Sequence, residues 1–506
     1  MACLHSAASD GTHDARTHKN RPSTPRTVHI HRHMNGMVRS TLVLLGGRTS
    51  EALLRFLRNV LLARLLGVED YGIAGTFVLA ASMVEVVSDL ALERMVVQDR
   101  EGNNPRFVSA IQTLVVIRSI LIAGIVYLCG DLLALLFGFP ELGWAYQLLA
   151  VVPLIRGFFH LDIMREQRGM RFGRQVLAEF LTVLGTLLLL WPLAAWIGDF
   201  RVILWIICID AGVRTVFSHV LASERFRLGW DIPIFKRAIL FGAPLLAANI
   251  LMFLNTQGDR IIIANQFSAF ELGVFTAAFT LFMTPVSTGA NIMRQLFLPL
   301  IARERDNPVL FERRCSETLQ ANLVLGCAVM IGGALIGEPA FLLAFGQEFA
   351  AGLPWIVPLC VMFGARFASV GPVVVAVAGG RTINVTIRNA VRMAFVPVAL
   401  GIAVSGGTIL ALIYIAAAGE VVAYGVGIAL VRYRLALRKA TNRMWLPAAL
   451  AIAIASVVLS ARMLPFDYWW IQVTATGLLV FLFASCVDFW TWMYRGASTR
   501  LKKKLA

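Results

Sequence analysis

Apolar runs of roughly 20 residues recur along the chain, each long enough to cross the hydrocarbon core of a bilayer as a helix. In lipid, backbone polar groups must be satisfied within a helix or a closed barrel, and the short alternating strands of a barrel are absent from the sequence. The pattern therefore predicts an all-α polytopic membrane protein. We predict fourteen transmembrane helices, at residues 41–65, 72–92, 107–130, 142–161, 176–197, 201–221, 238–264, 271–297, 316–337, 353–378, 385–404, 408–432, 445–463 and 469–493.

Composition and loop charge agree with this interpretation. The chain is 58% hydrophobic and 15% charged, whereas soluble proteins carry about 25% charged residues. Arginines concentrate in the loops that follow even-numbered helices, as at positions 165, 168, 171 and 174, and in the basic C-terminal tail. Positive loops stay in the cytoplasm, so we expect both termini there and the protein in the cytoplasmic (inner) membrane. The net charge of +16 then reflects topology and does not indicate nucleic-acid binding.

The segments outside the helices exclude several functions. Residues 1–37 are polar and hold six of the eight histidines, which predicts a disordered cytoplasmic extension rather than a metal site. The seven cysteines form no CxxC, and no GxxxxGK[ST] occurs, so we predict no metal, no cofactor and no ATP-driven step. The longest outer connection spans only about residues 338–352. A membrane glycosyltransferase or polymerase needs a larger outer loop, so we expect no enzyme.

The first predicted helix carries four ionisable groups in an otherwise apolar segment, at Arg48, Glu51, Arg55 and Arg58. At about 100° per residue they fall within roughly 80° of arc and form one polar stripe. Charges in a membrane helix are costly and commonly face a water-filled cavity on a substrate or ion path. The alternative is a helix buried against its neighbours, with arginine and glutamate paired internally.

Other predicted helices repeat this theme. Arginine exceeds acid at depth, which suits an anionic passenger, and a guanidinium matches phosphate oxygens in bidentate geometry. Asp210 lies one turn from Arg214, which fits a structural pair as well as a functional one. Arg388 and Arg392 share one helix face. The remaining buried charges are Arg118, Arg156 and Arg366, with the acids Glu85, Asp89 and Glu420.

The two halves of the chain resemble each other. GVEDYGIAGTFVLA at 67–80 aligns with SAFELGVFTAAFTL at 268–281, an offset of 201 positions. Both segments follow a long helix and begin the next one after an acid-x-Gly turn. Repeated halves around a central site are common in secondary transporters.

Three segments resemble a known family. They are ARLLGVEDYGIAGTFVLAASMVEVVSDLALERMVVQ at 63–98, FGAPLLAANILMFLNTQGDRIIIANQFSAFELGVFTAAFTLFMTPV at 241–286 and GQEFAAGLPWIVPLCVMFGARFASVGPVVVAVAGGRTINVTIRN at 346–389. They are similar to polysaccharide-type flippases of the multidrug/oligosaccharidyl-lipid/polysaccharide exporter superfamily. The chain departs from the family pattern at Ala91 and Phe275, where the family often has Gly and Tyr.

The resemblance implies two six-helix lobes that form a V, at residues 38–232 and 233–440. Two additional helices follow at 441–494, and a basic tail at 495–506. It also implies a secondary transporter that flips a polyprenyl-pyrophosphate-linked glycan by alternating access. The implied partners are the lipid-linked anionic glycan, membrane lipids, H⁺ or Na⁺ as coupling ion, and polymerase and glycosyltransferases of the same pathway. The rival functions are a multidrug extruder of the same superfamily and a membrane glycan transferase or polymerase.

The candidate site residues fall into two groups. We expect substrate contacts at Arg48, Arg55, Arg58, Arg118, Arg156 and Arg366. We expect ion coupling or gating at Glu51, Glu85, Asp89, Asp210, Asp259 and Glu420. The offset of 201 matches Asp259 to Arg58, which predicts either an outer gate formed by these two residues or an interfacial acid beside Arg260.

Overall fold

A computed structural model of the chain describes residues 26–169 and 172–460, and positions 474–491 except 475, 476, 479, 483 and 487. Every regular element in these ranges is helical. Ten helical segments of the described chain are long and apolar enough to cross a membrane, which makes the protein a multi-pass membrane protein. The other four predicted spans do not meet that standard, so the count of fourteen is not confirmed.

The first and fourth predicted spans have a physical reason, and the last two are only partly described. Four charges between Arg48 and Arg58 lower the hydropathy of the first helix. The fourth span is broken into short helices around Leu149 and Ala150. The thirteenth is described only from Trp445 to Ser460, and the fourteenth lies partly outside the described residues.

The described part of the N-terminal half contains ten α-helices. The first begins at Arg26, so residues 26–37 of the predicted disordered extension continue this helix, since no proline follows Pro25 before Pro105. Residues 1–25 lie outside the described residues. The helices are α1 (Arg26–Leu66), α2 (Val68–Ser88), α3 (Leu92–Gln98), α4 (Pro105–Leu128), α5 (Gly130–Leu136), α6 (Gly143–Leu148), α7 (Val151–Gly157), α8 (Asp162–Gln167), α9 (Gly173–Ile197) and α10 (Arg201–Val220), with a 3₁₀ turn at Pro140–Leu142.

The C-terminal half repeats the pattern with longer helices. Side-chain oxygens of Asp231, Ser268, Asn307 and Thr408 cap the free amides at four helix starts. The helices are α11 (Ile232–Gln266), α12 (Ala269–Arg303), α13 (Pro308–Phe345), α14 (Leu353–Ala368), α15 (Val370–Ala378), α16 (Ile383–Met393), α17 (Phe395–Val404), α18 (Ile409–Arg434), α19 (Arg438–Asn442) and α20 (Trp445–Ser460), with a 3₁₀ turn at Gln347–Gly352.

The two copies of the sequence repeat meet where α2 crosses α12. A Cβ on Gly72 would lie 2.1 Å from the carbonyl oxygen of Ala269, and a Cβ on Gly273 would lie 2.0 Å from that of Val68. Gly72 and Gly273, like Val68 and Ala269, are 201 positions apart, so the contact is symmetric. The absence of side chains on both glycines lets the two backbones approach this closely.

This crossing lies at the end of the bundle where the connections are short, such as Gly67 and Ser405–Gly407; we call it the short-loop end. Further contacts join the halves there. Arg64 donates to the carbonyl of Ala344 at 2.7 Å, and Asn265 donates to that of Leu135 at 3.1 Å. Toward the opposite, arginine-rich end, no residue from 81 to 88 of α2 is buried. The halves are therefore in close contact at the short-loop end, and the face of α2 toward the other end is not fully covered.

The first part of α11 packs against the N-terminal half, although the sequence analysis begins the second lobe at residue 233. A Cβ on Gly242 would lie 2.2 Å from the carbonyl oxygen of Leu90. Asn249 donates to the carboxylate of Asp89 at 3.1 Å. The packing boundary between the halves thus lies within α11 rather than at its start.

Candidate functional site

A cavity of about 210 Å³ lies in the N-terminal half, between α2, α3, α4, α7 and α10. Its apolar walls come from residues such as Ile122, Val152 and Phe159, and Ser88, Ser119 and Thr215 add polar groups. Seven ionisable side chains line it: Glu85, Asp89, Glu93, Arg94, Arg118, Arg156 and Arg214. Four cations against three acids make the lining nearly balanced, rather than strongly cationic as the sequence suggested.

The second membrane helix breaks between α2 and α3, beside the cavity. Ala91 adopts a left-handed conformation with φ of 52°, which is unfavourable for a residue with a Cβ. Asp89 holds the break, because its carboxylate accepts from the backbone N–H of Ala91 at 2.8 Å and from Asn249 at 3.1 Å. Arg94 approaches the same carboxylate at 3.5 Å. Asp89, which we predicted as a coupling acid, therefore also has a structural role.

Two of the cavity arginines are neutralised by acids. Arg156 pairs with Glu85 at 2.6 Å. Arg214 approaches Glu179 at 3.9 Å and lies over the ring of Phe159. Asp210 therefore does not pair with Arg214, its neighbour along the helix.

Arg118 is different from these arginines. It forms no ion pair with any described residue, and its buried Nε, like those of Arg58 and Arg156, has no hydrogen-bond partner among them. Glu93 and Asp89 are the acids that act on it electrostatically, without direct contact. A guanidinium with unused donors in a polar cavity is available for an anionic oxygen of a ligand.

The charged stripe of α1 divides between the two predicted environments. Arg48, Glu51 and Arg55 line a second cleft, of about 370 Å³, against α9 and α12, where Arg55 pairs with Glu51 at 2.8 Å. Arg58 instead turns into the N-terminal half, where it contacts Asp210 at 3.4 Å and Thr186 at 3.0 Å. The predicted alternative of internal pairing therefore applies to Arg58, and the predicted cavity-facing position applies to the other three residues.

The predicted gate between Arg58 and Asp259 is not formed. The carboxylate partner of Arg58 is Asp210. Asp259 lines a small pocket in the C-terminal half together with Asn255 and Arg392. It lies inside that half rather than at an interface beside Arg260, whose guanidinium packs over the ring of Phe279.

In the C-terminal half, three arginines converge on one glutamate. Glu420 is fully buried and contacts Arg366 at 2.5 Å, Arg392 at 3.0 Å and Arg388 at 3.4 Å. We call these four residues the C-half cluster. Arg366 and Glu420 were predicted as separate substrate and coupling residues, but the structure places them in one ion pair. The shared helix face of Arg388 and Arg392 was the available sequence signal for the rest.

Sequence reasoning also missed four members of the N-terminal site. Glu93 and Arg94 line the cavity, Glu179 faces Arg214, and Ser119 stands one position after Arg118. Glu93 falls just beyond the predicted second helix, where the sequence indicated a loop. The available sequence signal was position 91, where the family often has glycine, a residue typical of a break within a helix.

Comparison with known proteins places the chain among polysaccharide-related membrane proteins. Residues 61–354, more than half of the chain, match the family described as polysaccharide biosynthesis protein. The lipopolysaccharide biosynthesis protein WzxC of Escherichia coli K12 is 21% identical over 335 residues, which cover 64% of each chain and so less than two thirds of WzxC. The capsular polysaccharide biosynthesis protein CapF of Staphylococcus aureus is 23% identical over 339 residues, covering 62% of this chain and 78% of CapF.

Solved structures show the same fold. An inward-facing multidrug resistance MATE family transporter of the MOP superfamily aligns with a TM-score of 0.63 at 16% identity, over 77% of this chain and 96% of its own. The lipid II flippase MurJ, in an inward closed conformation, aligns with a TM-score of 0.63 at 10% identity, over 91% of this chain and 99% of its own. The family match confirms the predicted resemblance to polysaccharide-related membrane proteins, and the solved structures confirm the predicted fold, which is all-helical in the described residues.

Proposed function

Because the chain belongs to the family of polysaccharide biosynthesis proteins, we propose that it is a flippase. Its cargo is a lipid-linked, polyprenyl-pyrophosphate-linked oligosaccharide or polysaccharide unit for the cell surface. The relatives WzxC and CapF, named for lipopolysaccharide and capsular polysaccharide biosynthesis, support a glycan pathway. The proposed step is movement across the membrane without covalent chemistry.

Arg118 is the observation that carries this proposal. A pyrophosphate brings fixed negative charge into the membrane. It needs a cation that is not already paired with an acidic side chain of the protein. Among the described cavity arginines, Arg156 is paired with Glu85, and Arg94 and Arg214 approach Asp89 and Glu179. Arg118 alone among them lacks such an acid, so we assign it the pyrophosphate, with Ser88 and Ser119 beside it for sugar hydroxyls.

The proposed transport cycle uses the separation of the two halves. The arginine-rich end faces the cytoplasm, so both termini are cytoplasmic and the cavity receives the head group from the inner leaflet. The lipid tail stays in the bilayer. The halves then rock, the contact of Gly72 with Gly273 opens, and the cavity is exposed to the outside.

Glu85 is our choice for coupling to an H⁺ or Na⁺ gradient. Its side chain is exposed in the cavity and pairs with Arg156, so a cation that takes the carboxylate releases a second guanidinium toward the substrate. Glu420, by contrast, is enclosed by three arginines. The polymerase and glycosyltransferases that supply and use the glycan complete the proposed partners.

The test is glycan export in cells that depend on this chain. Arg118→Ala should abolish export and trap lipid-linked glycan on the cytoplasmic side, while the protein accumulates normally. Arg118→Lys should restore part of the activity, because it returns the charge without the planar fork. Arg100→Ala, which removes an exposed loop arginine, is the matched control and should export normally. Export unchanged by Arg118→Ala, or a protein that confers drug resistance instead, would refute the proposal.

A further inference from the structure

The linker between the two halves, residues 221–231, is fastened to the protein on one side. The backbone N–H of Gly229 donates to Thr113 at 2.9 Å and to the carbonyl of Ser109 at 3.2 Å. Asp231 caps α11 and pairs with Arg106 at 2.7 Å. These contacts hold the linker against the start of α4, so its other side has a fixed position.

That other side is apolar and bare. Leu228 is 57% exposed, Trp230 70% and Ile232 65%. The exposed apolar face continues along α11 through Ile239 and Leu240. Three large apolar side chains within five residues, next to a membrane helix, are unusual for a segment that contacts only water.

Basic residues without acidic partners surround these apolar side chains. Arg225, Arg227 and Lys236 are exposed and form no ion pair with any described residue. The nearby Arg237 is neutralised by Asp99 and Glu101, both at 3.3 Å. Uncompensated positive charge therefore lies in the same short segment as the exposed apolar side chains.

We propose that the linker surface, formed by Arg225, Arg227, Leu228, Trp230, Ile232 and Lys236, binds anionic phospholipid of the leaflet at the arginine-rich end. Tryptophan prefers the membrane interface, where its ring is apolar and its N–H reaches polar groups. Basic side chains beside it attract anionic head groups. The position next to the first turn of α11 puts both groups at the depth of the head groups.

This lipid contact would bear on the motion of the halves. The linker is the covalent connection from α10 to α11, and the first part of α11 packs on the N-terminal half. A lipid held by the linker surface therefore fixes the start of α11 relative to the membrane plane. The inference concerns lipid binding and does not depend on the identity of the transported glycan.

The experiment measures retained lipid on the purified full chain. The protein is delipidated in detergent and titrated with phosphatidylglycerol or phosphatidylcholine, and bound lipids are counted by native mass spectrometry. The test variant is Arg225→Gln, Arg227→Gln, Lys236→Gln. The matched control is Arg303→Gln, Arg305→Gln, Arg381→Gln, which removes three exposed cations from the same end of the C-terminal half.

The wild-type chain should retain phosphatidylglycerol over phosphatidylcholine, and the test variant should lose about fivefold in affinity for each cation removed. The control variant should bind like the wild type, and Arg225→Lys with Arg227→Lys should keep most of the affinity. Trp230→Ser should weaken both lipids alike. Equal phosphatidylglycerol binding by wild type and test variant, or an equal loss in the control, would overturn the proposal.

Discussion

The two halves of the molecule handle buried arginine in opposite ways. In the N-terminal half, Arg58 and Arg156 each have an acid of their own, and Arg118 has none among the described residues. In the C-terminal half, three arginines share the fully buried Glu420. Arg118 and Arg156 line an open cavity of about 210 Å³. The three arginines around Glu420 instead come from α14 and α16 and meet it on α18.

Because of this difference, the arginines of the N-terminal cavity can exchange an acidic partner for water or a ligand, whereas those of the C-half cluster cannot. A buried charge whose partner is removed pays its desolvation without compensation, which costs about 3–5 kcal/mol. Opening the C-half cluster would expose several such charges together. In the cavity, water or a ligand oxygen can replace a lost partner, so the cost is lower. We therefore interpret the cluster as a structural lock and the cavity as the place where ligands act.

The largest expected effect follows from removing the central acid of the C-half cluster. Glu420→Gln leaves three buried guanidiniums without their counter-charge and should destabilise the protein by about 3–5 kcal/mol. We expect little protein in the membrane fraction, measured by immunoblot and by thermal melting in detergent. Glu85→Gln, in the open cavity, is the control and should accumulate normally. Normal accumulation of Glu420→Gln would show that the C-half cluster is no more important for stability than the cavity charges.

A smaller effect is expected at the pair of Arg58 and Asp210, which lies between the two extremes. Arg58→Ala and Asp210→Ala should each cost about 2 kcal/mol, because each leaves a charged partner behind. The double variant should be clearly less destabilised than the sum, with a coupling of about 1–2 kcal/mol in thermal melting. Arg58→Ala combined with Asp259→Ala should be additive, because these residues have different partners. A coupling energy between Arg58 and Asp259 would instead support the outer gate predicted from the sequence.

The crossing of α2 and α12 tests how the halves close. In Gly72→Val the added Cβ would lie 2.1 Å from the carbonyl oxygen of Ala269, so the helices must move apart, which should cost about 1–3 kcal/mol in the closed state. We expect the cavity to become accessible from the short-loop end, measured in intact cells by labelling of a cysteine introduced at Ser119 with a membrane-impermeant reagent added outside. Gly124→Val meets open space and is the control. Equal labelling of both variants would show that the crossing is not a closing contact.

The smallest effect is expected at the helix break beside the cavity. Ala91→Gly relieves a left-handed conformation and should stabilise the protein by about 1 kcal/mol, seen as a small rise in melting temperature. Ala81→Gly, in the regular part of α2, should instead destabilise by about 0.5–1 kcal/mol. A fall in melting temperature for both variants would mean that the break is not strained.

Hydropathy and loop charge predicted most of the helices, because length and apolar composition decide whether a segment enters lipid. Hydropathy and loop charge did not predict which charged side chains form ion pairs. Arg58 and Asp210 are 152 positions apart, and only the packing of α1 against α9 and α10 brings them together. The sequence also predicted the position of Arg118 within a helix, but its lack of an acid depends on the neighbours that other helices supply.

The sequence repeat correctly aligned two residues that touch, Gly72 and Gly273, but it wrongly predicted a contact between Arg58 and Asp259. Both outcomes have the same geometric reason. An offset of 201 relates equivalent residues of the two halves, and equivalent residues touch only near the axis that relates the halves. Gly72 and Gly273 lie at that axis and are in contact. Arg58 and Asp259 lie away from it, each inside its own half, so their equivalence does not make them partners.

Binding of a polyprenyl pyrophosphate to the purified chain tests the central claim, that the cavity holds the anionic head group and the C-half cluster does not. The measurement compares the wild type with Arg118→Gln and with Arg366→Gln, which removes one of the three cations around Glu420. A charge-assisted contact is worth about 1.5–3 kcal/mol, so Arg118→Gln should weaken binding by roughly tenfold or more. Arg366→Gln should leave affinity within about twofold, since its guanidinium serves Glu420. Unchanged affinity in Arg118→Gln together with a large loss in Arg366→Gln would contradict the account.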